Sequence, residues 1–218
     1  MMDKGRTALL VGATGLVGRQ LLNKLIHTPY YHEVIVLTRS RLGITNTKLK
    51  EIIFDFNQPD GSQVVADDVY CCLGTTIKKA GSQEAFRKVD YQYPLEIARL
   101  AKKNGAKKYV IVTALGADAS SSIFYSRVKG ELEEALGTLG YEALHLVRPS
   151  LLLGDRQENR MGEKIGEGIA KLFGPLMFGP LKKFKAIDSA QVANAMLAFG
   201  KSGEKGICIH NSDALQAY

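Results

Sequence analysis

Several short runs of this chain are apolar at every position instead of at alternate ones, and a stretch of helical periodicity follows most of them. Thr7–Val11, Val34–Leu37, Val69–Leu73 and Tyr109–Val112 are the clearest runs. A strand apolar on both sides has to be buried on both faces. Strands alternating with helices pair in parallel through right-handed crossovers. The pattern therefore predicts an α/β fold, a doubly wound parallel sheet. The first helix, Leu16 to His27, sets Leu21, Leu22, Leu25 and Ile26 on one stripe and stops at Thr28-Pro29. Lys50 to Phe56 reads as a weaker strand, Gln83 to Asn104 as a helix bent near Pro94, and Ile123 to Leu139 as a helix closed by Gly140. Glu142 to Val147 and Ile207 to Ile209 complete the strands, with a helix from Ser189 to Phe199 between them.

The 218 residues suffice for one sizeable core, and no composition shift marks a boundary, so a single domain over 1–218 is expected. After Pro149 the pattern loosens. The apolar stretch Ile165 to Leu181 is interrupted by glycines and prolines, and residues 150–218 are where a small substrate region would be built. No apolar run reaches the ~20 residues of a membrane helix. The N-terminus lacks the features of a secretory signal. Three cysteines, two of them adjacent (Cys71 and Cys72), argue for reduced thiols, and a cytoplasmic location is expected. The net charge of +7 raises the question of nucleic acid. The lysines are scattered among acidic residues and no nucleic-acid motif accompanies them, so solvated helix faces explain the charge.

Between the first strand and the first helix lies Gly12-Ala13-Thr14-Gly15-Leu16-Val17-Gly18. Glycine there permits a sharp turn and close approach of a diphosphate, and a helix start offers unpaired N–H groups and a positive dipole end. A glycine triplet opening the first helix of a β-α-β series points to a dinucleotide site. Its contacts are assigned to Gly12, Thr14, Gly15, Leu16, Val17 and Gly18. The second strand ends Thr38-Arg39-Ser40-Arg41, without the acidic residue that takes the ribose of NAD. Arg39 is suited to a 2′-phosphate, which favours NADP over NAD. The alternative is that Arg39 and Arg41 belong to a solvated loop. Asp55 is a candidate for the adenine amino group.

Tyr125 and Lys129 stand four apart in a predicted helix and so share a face. A lysine cation beside a phenol favours the phenolate and makes the tyrosine a usable proton donor or acceptor. Thr113, ending the fifth strand, offers a hydroxyl to polarise a carbonyl. None of His27, His32, His145 and His210 has metal-ligand spacing, so no metal is expected.

These residues resemble the short-chain dehydrogenases/reductases, and within them the atypical branch of Tat-interacting-protein-like oxidoreductases. The likeness rests on the glycine loop, Cys72-Leu73-Gly74-Thr75-Thr76, Val89-Asp90-Tyr91, Gly116-Ala117-Asp118, Tyr125 to Glu131, Arg148-Pro149 and Asp155 to Glu158. It implies a Rossmann-type fold, an NADP-type cofactor and a Tyr/Lys reductase site. Lys129 would then also hold the nicotinamide ribose, Leu73, Gly74 and Thr75 would line the cofactor, and Arg148 would lie beside the nicotinamide end. Thr113 stands where the superfamily has a serine, followed by Ala114.

Two functions compete on this basis. One is an NADP(H)-dependent oxidoreductase acting on a small carbonyl or alcohol. The other is a dinucleotide-sensing or partner-binding protein with little catalysis, for which Thr113 and the short substrate region speak. Ile165 to Leu181 would be a lid, an interface or a buried helix. Redox sensing at Cys71 and Cys72 is less favoured, because neighbours in a strand face opposite ways and bury as packing thiols. A homodimer is a fair expectation for this fold.

Overall fold

The computed structural model describes residues 5–153 and 185–218. The expected stretch Ile165 to Leu181 and the Asp155 to Glu158 segment lie outside them. Seven parallel strands form the main sheet: β1 (Arg6–Val11), β2 (Tyr31–Thr38), β3 (Leu49–Ile53), β4 (Asp68–Cys71), β5 (Lys108–Val112), β6 (Ala143–Arg148) and β9 (Gly206–Asn211). Their order is β3-β2-β1-β4-β5-β6-β9. The chain winds outward from β1 to one edge and then from β4 to the other. The order therefore reverses between β1 and β4, and in such sheets the crevice beyond the carboxyl ends at that point is the ligand site. Two short strands, β7 (Leu152–Leu153) and β8 (Ile187–Asp188), pair separately.

Both faces of the sheet are buried, as the unbroken apolar runs require. Ala8, Leu10, Val34, Val36, Tyr70, Val110 and Val147 pack against α1 (Leu16–His27) and α6 (Ser189–Lys201). Leu9, Val11, Ile35, Leu37, Val69, Tyr109, Ile111, Leu144 and Leu146 pack against α4 (Tyr93–Lys103) and α5 (Phe124–Gly137). Cys71 and Cys72 fall on opposite faces, and burial raises both thiol pKa values, which makes them packing groups.

The expected bent helix from Gln83 to Asn104 is three pieces. An α-turn (α3, Gln83–Arg87) follows the short α2 (Ile77–Ala80), passes into a π-helical turn over Lys88–Gln92, and resumes as α4. Pro94 sits at the start of α4, directly after the π-helical turn, and has no N–H to return to the carbonyls of that turn. Among the described residues no helix is long and apolar enough to cross a membrane.

Candidate functional site

Gly12 turns the chain out of β1 with φ +85°, and a Cβ there would meet the Cys72 carbonyl oxygen at 2.5 Å. A Cβ on Gly18 would meet the Gly12 oxygen at 2.1 Å. The loop thus folds back onto the first turn of α1 and presses against the end of β4, and both contacts exclude any side chain. Gly15 caps α1 with extended backbone and donates its N–H to the Gly12 oxygen (3.1 Å). Among the described residues no side chain caps α1, and its first turn holds no acidic residue. The orphan N–H groups and the positive end of the dipole are left for an anion.

That helix start opens into a cavity of about 780 Å³ at the reversal of strand order. Thr14, Gly15, Leu16 and Val17 line it, as expected; Gly12 and Gly18 shape the turn from behind. Arg39, from the end of β2, stands on one wall. Leu73, Gly74 and Thr75, after β4, form another. Asp55 is exposed, accepts the Asn57 N–H (2.8 Å), and does not reach the cavity lining. Its expected contact with an adenine therefore has no support in the geometry.

Tyr125 and Lys129 line the same cavity from α5. Tyr125 lies in the helix's first turn, 37% exposed, with its ring 5.6 Å from that of Phe86. Lys129 is buried, and its Nζ lies 2.7 Å from Asp90 Oδ1. The other Asp90 oxygen accepts the Thr75 N–H at 2.8 Å. One carboxylate therefore ties the lysine to the loop after β4. Burial alone would lower the lysine's pKa; Asp90 and Tyr125 outweigh it, and the pKa is raised. Lys129 stays an ammonium. The next residue, Gly130, lets residues 118 and 119 cross α5 closely: a Cβ there would meet the Ala119 nitrogen at 2.1 Å. Asp90 was absent from the expected site. Its sequence signal is the Val89-Asp90-Tyr91 segment, which carries part of the family likeness without pointing to a role for the carboxylate.

Two expected residues are turned elsewhere. Thr113 touches the cavity, but its hydroxyl is buried and donates to Glu133 Oε1 at 2.5 Å. Arg148 does not reach the cavity. It shares a strand face with Leu144 and Leu146, so its guanidinium enters the α5 layer, where Nε donates to both Glu133 oxygens at 3.0 and 3.1 Å. Arg148, Glu133 and Thr113 form one internal network. The alternation of β6 turns Arg148 into the α5 layer and away from the cavity lining.

A sequence model of the HIM1 family matches residues 41–172. The mitochondrial protein FMP52 of Candida albicans is 35% identical over 92% of this chain and 90% of its own length. The rat protein HTATIP2 is 35% identical over 79% of this chain and 72% of its own. Among solved structures, MoeE5 in complex with UDP-glucose and NAD superposes with a TM-score of 0.70 at 13% identity, covering 93% of this chain and 74% of that one. A short-chain dehydrogenase/reductase family oxidoreductase from Burkholderia thailandensis gives 0.68 at 17%, covering 98% and 94%. The cytoplasmic location expected from the sequence is overturned: the FMP52 relatives, from Candida albicans and from several Aspergillus and related fungi, are named as mitochondrial proteins. Free thiols argue only for a reducing compartment and do not choose between cytosol and mitochondrion. The parallel sheet and the glycine turn agree with the fold of these structures, and the chain belongs to the HIM1 family, with FMP52 and HTATIP2 among its relatives.

Proposed function

We propose that this chain is an NADP(H)-dependent oxidoreductase acting on a small carbonyl or alcohol. The observation that carries the reading is that an uncapped helix start and the Tyr125/Lys129 pair line one cavity. The fit of a dinucleotide rests on the glycine cradle, where Cβ atoms at Gly12 and Gly18 would collide with backbone. The amides at the start of α1 hold the pyrophosphate, and Arg39 takes the 2′-phosphate that distinguishes NADP from NAD. A reduced nicotinamide, when bound, supplies hydride. Tyr125 donates the proton to the carbonyl oxygen, and Lys129, kept charged by Asp90, stabilises the tyrosinate left behind and holds the ribose. Thr113 has no part in polarising the carbonyl, because its hydroxyl is engaged by Glu133.

NADPH titration followed by turnover across a panel of small aldehydes and ketones tests this. NADPH binds tighter than NADH, and Arg39→Ala removes most of that preference. Tyr125→Phe keeps NADPH binding and loses about 10²-fold or more in turnover. Near wild-type turnover by that variant would remove Tyr125 as the proton donor.

One observation favours a second reading, a dinucleotide sensor with little catalysis: the Thr113 hydroxyl is withdrawn from the cavity. Saturable NADPH binding with no turnover on any carbonyl of the panel would select it.

A further inference from the structure

On the face of the sheet covered by α6, away from the nucleotide cavity, strand register assembles a second group of polar side chains. β6 and β9 pair in parallel with His145 opposite Cys208 and Val147 opposite His210. Partners in adjacent strands point to the same face, and so do residues two apart along a strand. His145, Cys208 and His210 therefore converge, and Glu204 joins them from the turn leading into β9. His145 Nδ1 lies 3.0 Å from His210 Nε2 and 3.9 Å from Glu204 Oε2. One donor atom each from His145, Glu204 and Cys208 lie within 4.8 Å of one another. The Phe199 ring stacks on His210, centroids 3.6 Å apart, and walls the group on the α6 side.

We propose that His145, Glu204, Cys208 and His210 form a binding site for one divalent cation of the zinc class. Two imidazoles, a thiolate and a carboxylate suit a borderline-soft ion and do not suit magnesium or calcium. Tetrahedral bonds of about 2.0–2.1 Å place neighbouring nitrogen or oxygen donors roughly 3.3 Å apart. The 3.0 and 3.9 Å separations from His145 bracket that spacing, and the His145, Glu204 and Cys208 donors lie within 4.8 Å of one another, so side-chain shifts of up to about 1 Å at exposed Glu204 and half-buried Cys208 complete the site. Charge also balances, since thiolate and carboxylate together neutralise a dication. Lys108 opposes the cation, but its ammonium is held by the Gly200 and Ser202 carbonyls at 2.9 and 2.5 Å. Burial keeps His145 and His210 neutral, the form that ligates. Burial and Glu204 keep the Cys208 thiol protonated without metal, so binding releases that proton. Glu204 is exposed and Cys208 half-buried, which leaves an entry route at the sheet edge. A bound ion would clamp the edge strand β9 to β6. Histidine spacing along the chain gives no hint of this, because strand register supplies His145.

A hydrogen-bonded histidine pair accounts for the 3.0 Å contact alone and is the competing outcome. The test titrates Co²⁺ and Zn²⁺ into tag-free, chelator-treated protein. One Co²⁺ per chain is expected, with a thiolate-to-cobalt charge-transfer band and release of about one proton; Zn²⁺ displaces it and raises Tm. Cys208→Ser abolishes the band, and Glu204→Gln weakens Zn²⁺ binding about tenfold or more. Both positions are accessible, and circular dichroism confirms that the variants fold. Absence of the band in folded wild-type protein, or Zn²⁺ affinity that both variants leave unchanged, overturns the site.

Discussion

Asp90 shows how much one carboxylate can set. It is almost fully buried, and its two oxygens serve different masters: Lys129 on α5 and the Thr75 amide beside the cavity. Removing one charge of a buried pair costs more than the pair contributes, because the other charge stays desolvated. Asp90→Asn keeps an acceptor for the Thr75 amide and removes the counter-charge of Lys129. The variant is expected to lose about 3 kcal/mol of stability near neutral pH. In the wild type the lysine's raised pKa contributes stability below its ordinary 10.5. In the variant unopposed burial lowers that pKa, so folding disfavours the ammonium and the deficit shrinks as pH rises towards 10.5. Thermal denaturation of both proteins from pH 7 to 10 reads the converging curves. A deficit that stays constant over that range would mean that Asp90 acts by packing alone.

At the scale of elements, the glycine turn makes two separable contributions. A Cβ on Gly18 runs into the Gly12 carbonyl, a backbone group that cannot swing aside, whereas a Cβ on Gly15 approaches the Gly12 oxygen only to 3.4 Å. Gly18→Ala is therefore expected to destabilise by about 1–3 kcal/mol. Gly15→Ala is expected to change stability by no more than about 0.5 kcal/mol. Because Gly15 lines the cavity, its variant weakens NADPH binding while keeping Tm, and urea unfolding beside NADPH titration separates the effects. Equal stability losses in the two variants would refute this division. The turn itself was legible in the sequence because its position between an apolar strand and an amphipathic helix leaves few alternatives, and α1 begins and ends where Leu16 and His27 predict. The π-helical turn was not legible: Asp90 points inward only because Lys129 and Thr75, 39 and 15 residues away, meet it there. Arg148 failed for a related reason. A motif gives its place in the chain, but the parity of β6 decides its face. Thr113 reached the right strand end, and its hydroxyl was claimed by Glu133 from the following helix.

Across the whole molecule, a second set of groups that hold the fold lies apart from the cavity. At the amino ends of β1, β2 and β4, the Tyr31 hydroxyl donates to buried Asp68 at 2.8 Å and contacts the Tyr70 hydroxyl at 2.8 Å, while Arg6 closes on Asp68 with two hydrogen bonds. The cavity sits at the opposite, carboxyl ends. The histidine pair between β6 and β9 adds a pH dependence to this scaffold. Burial, and then His210, lower the pKa of His145 from 6.5 to about 4; Glu204 opposes and Lys108 adds to the shift. His210 moves in the same direction, mainly through burial. The unfolded chain takes up these protons first as pH falls. Their contribution to stability is therefore present above 6.5 and is lost between 6.5 and 4. With chelator present, so that no bound ion competes with the proton, Tm is expected to be nearly level above pH 7 and to fall through that window. His210→Gln makes the fall shallower by removing one of the two titrating rings and the charge repulsion on the other. Exposed Asp60 and Asp118, whose pKa values are lowered below 3.8, protonate only at the foot of the window and do not produce its upper half. A Tm that stays level from pH 7 to 5, in wild type and variant alike, would show that neither imidazole is withheld from water as this packing requires.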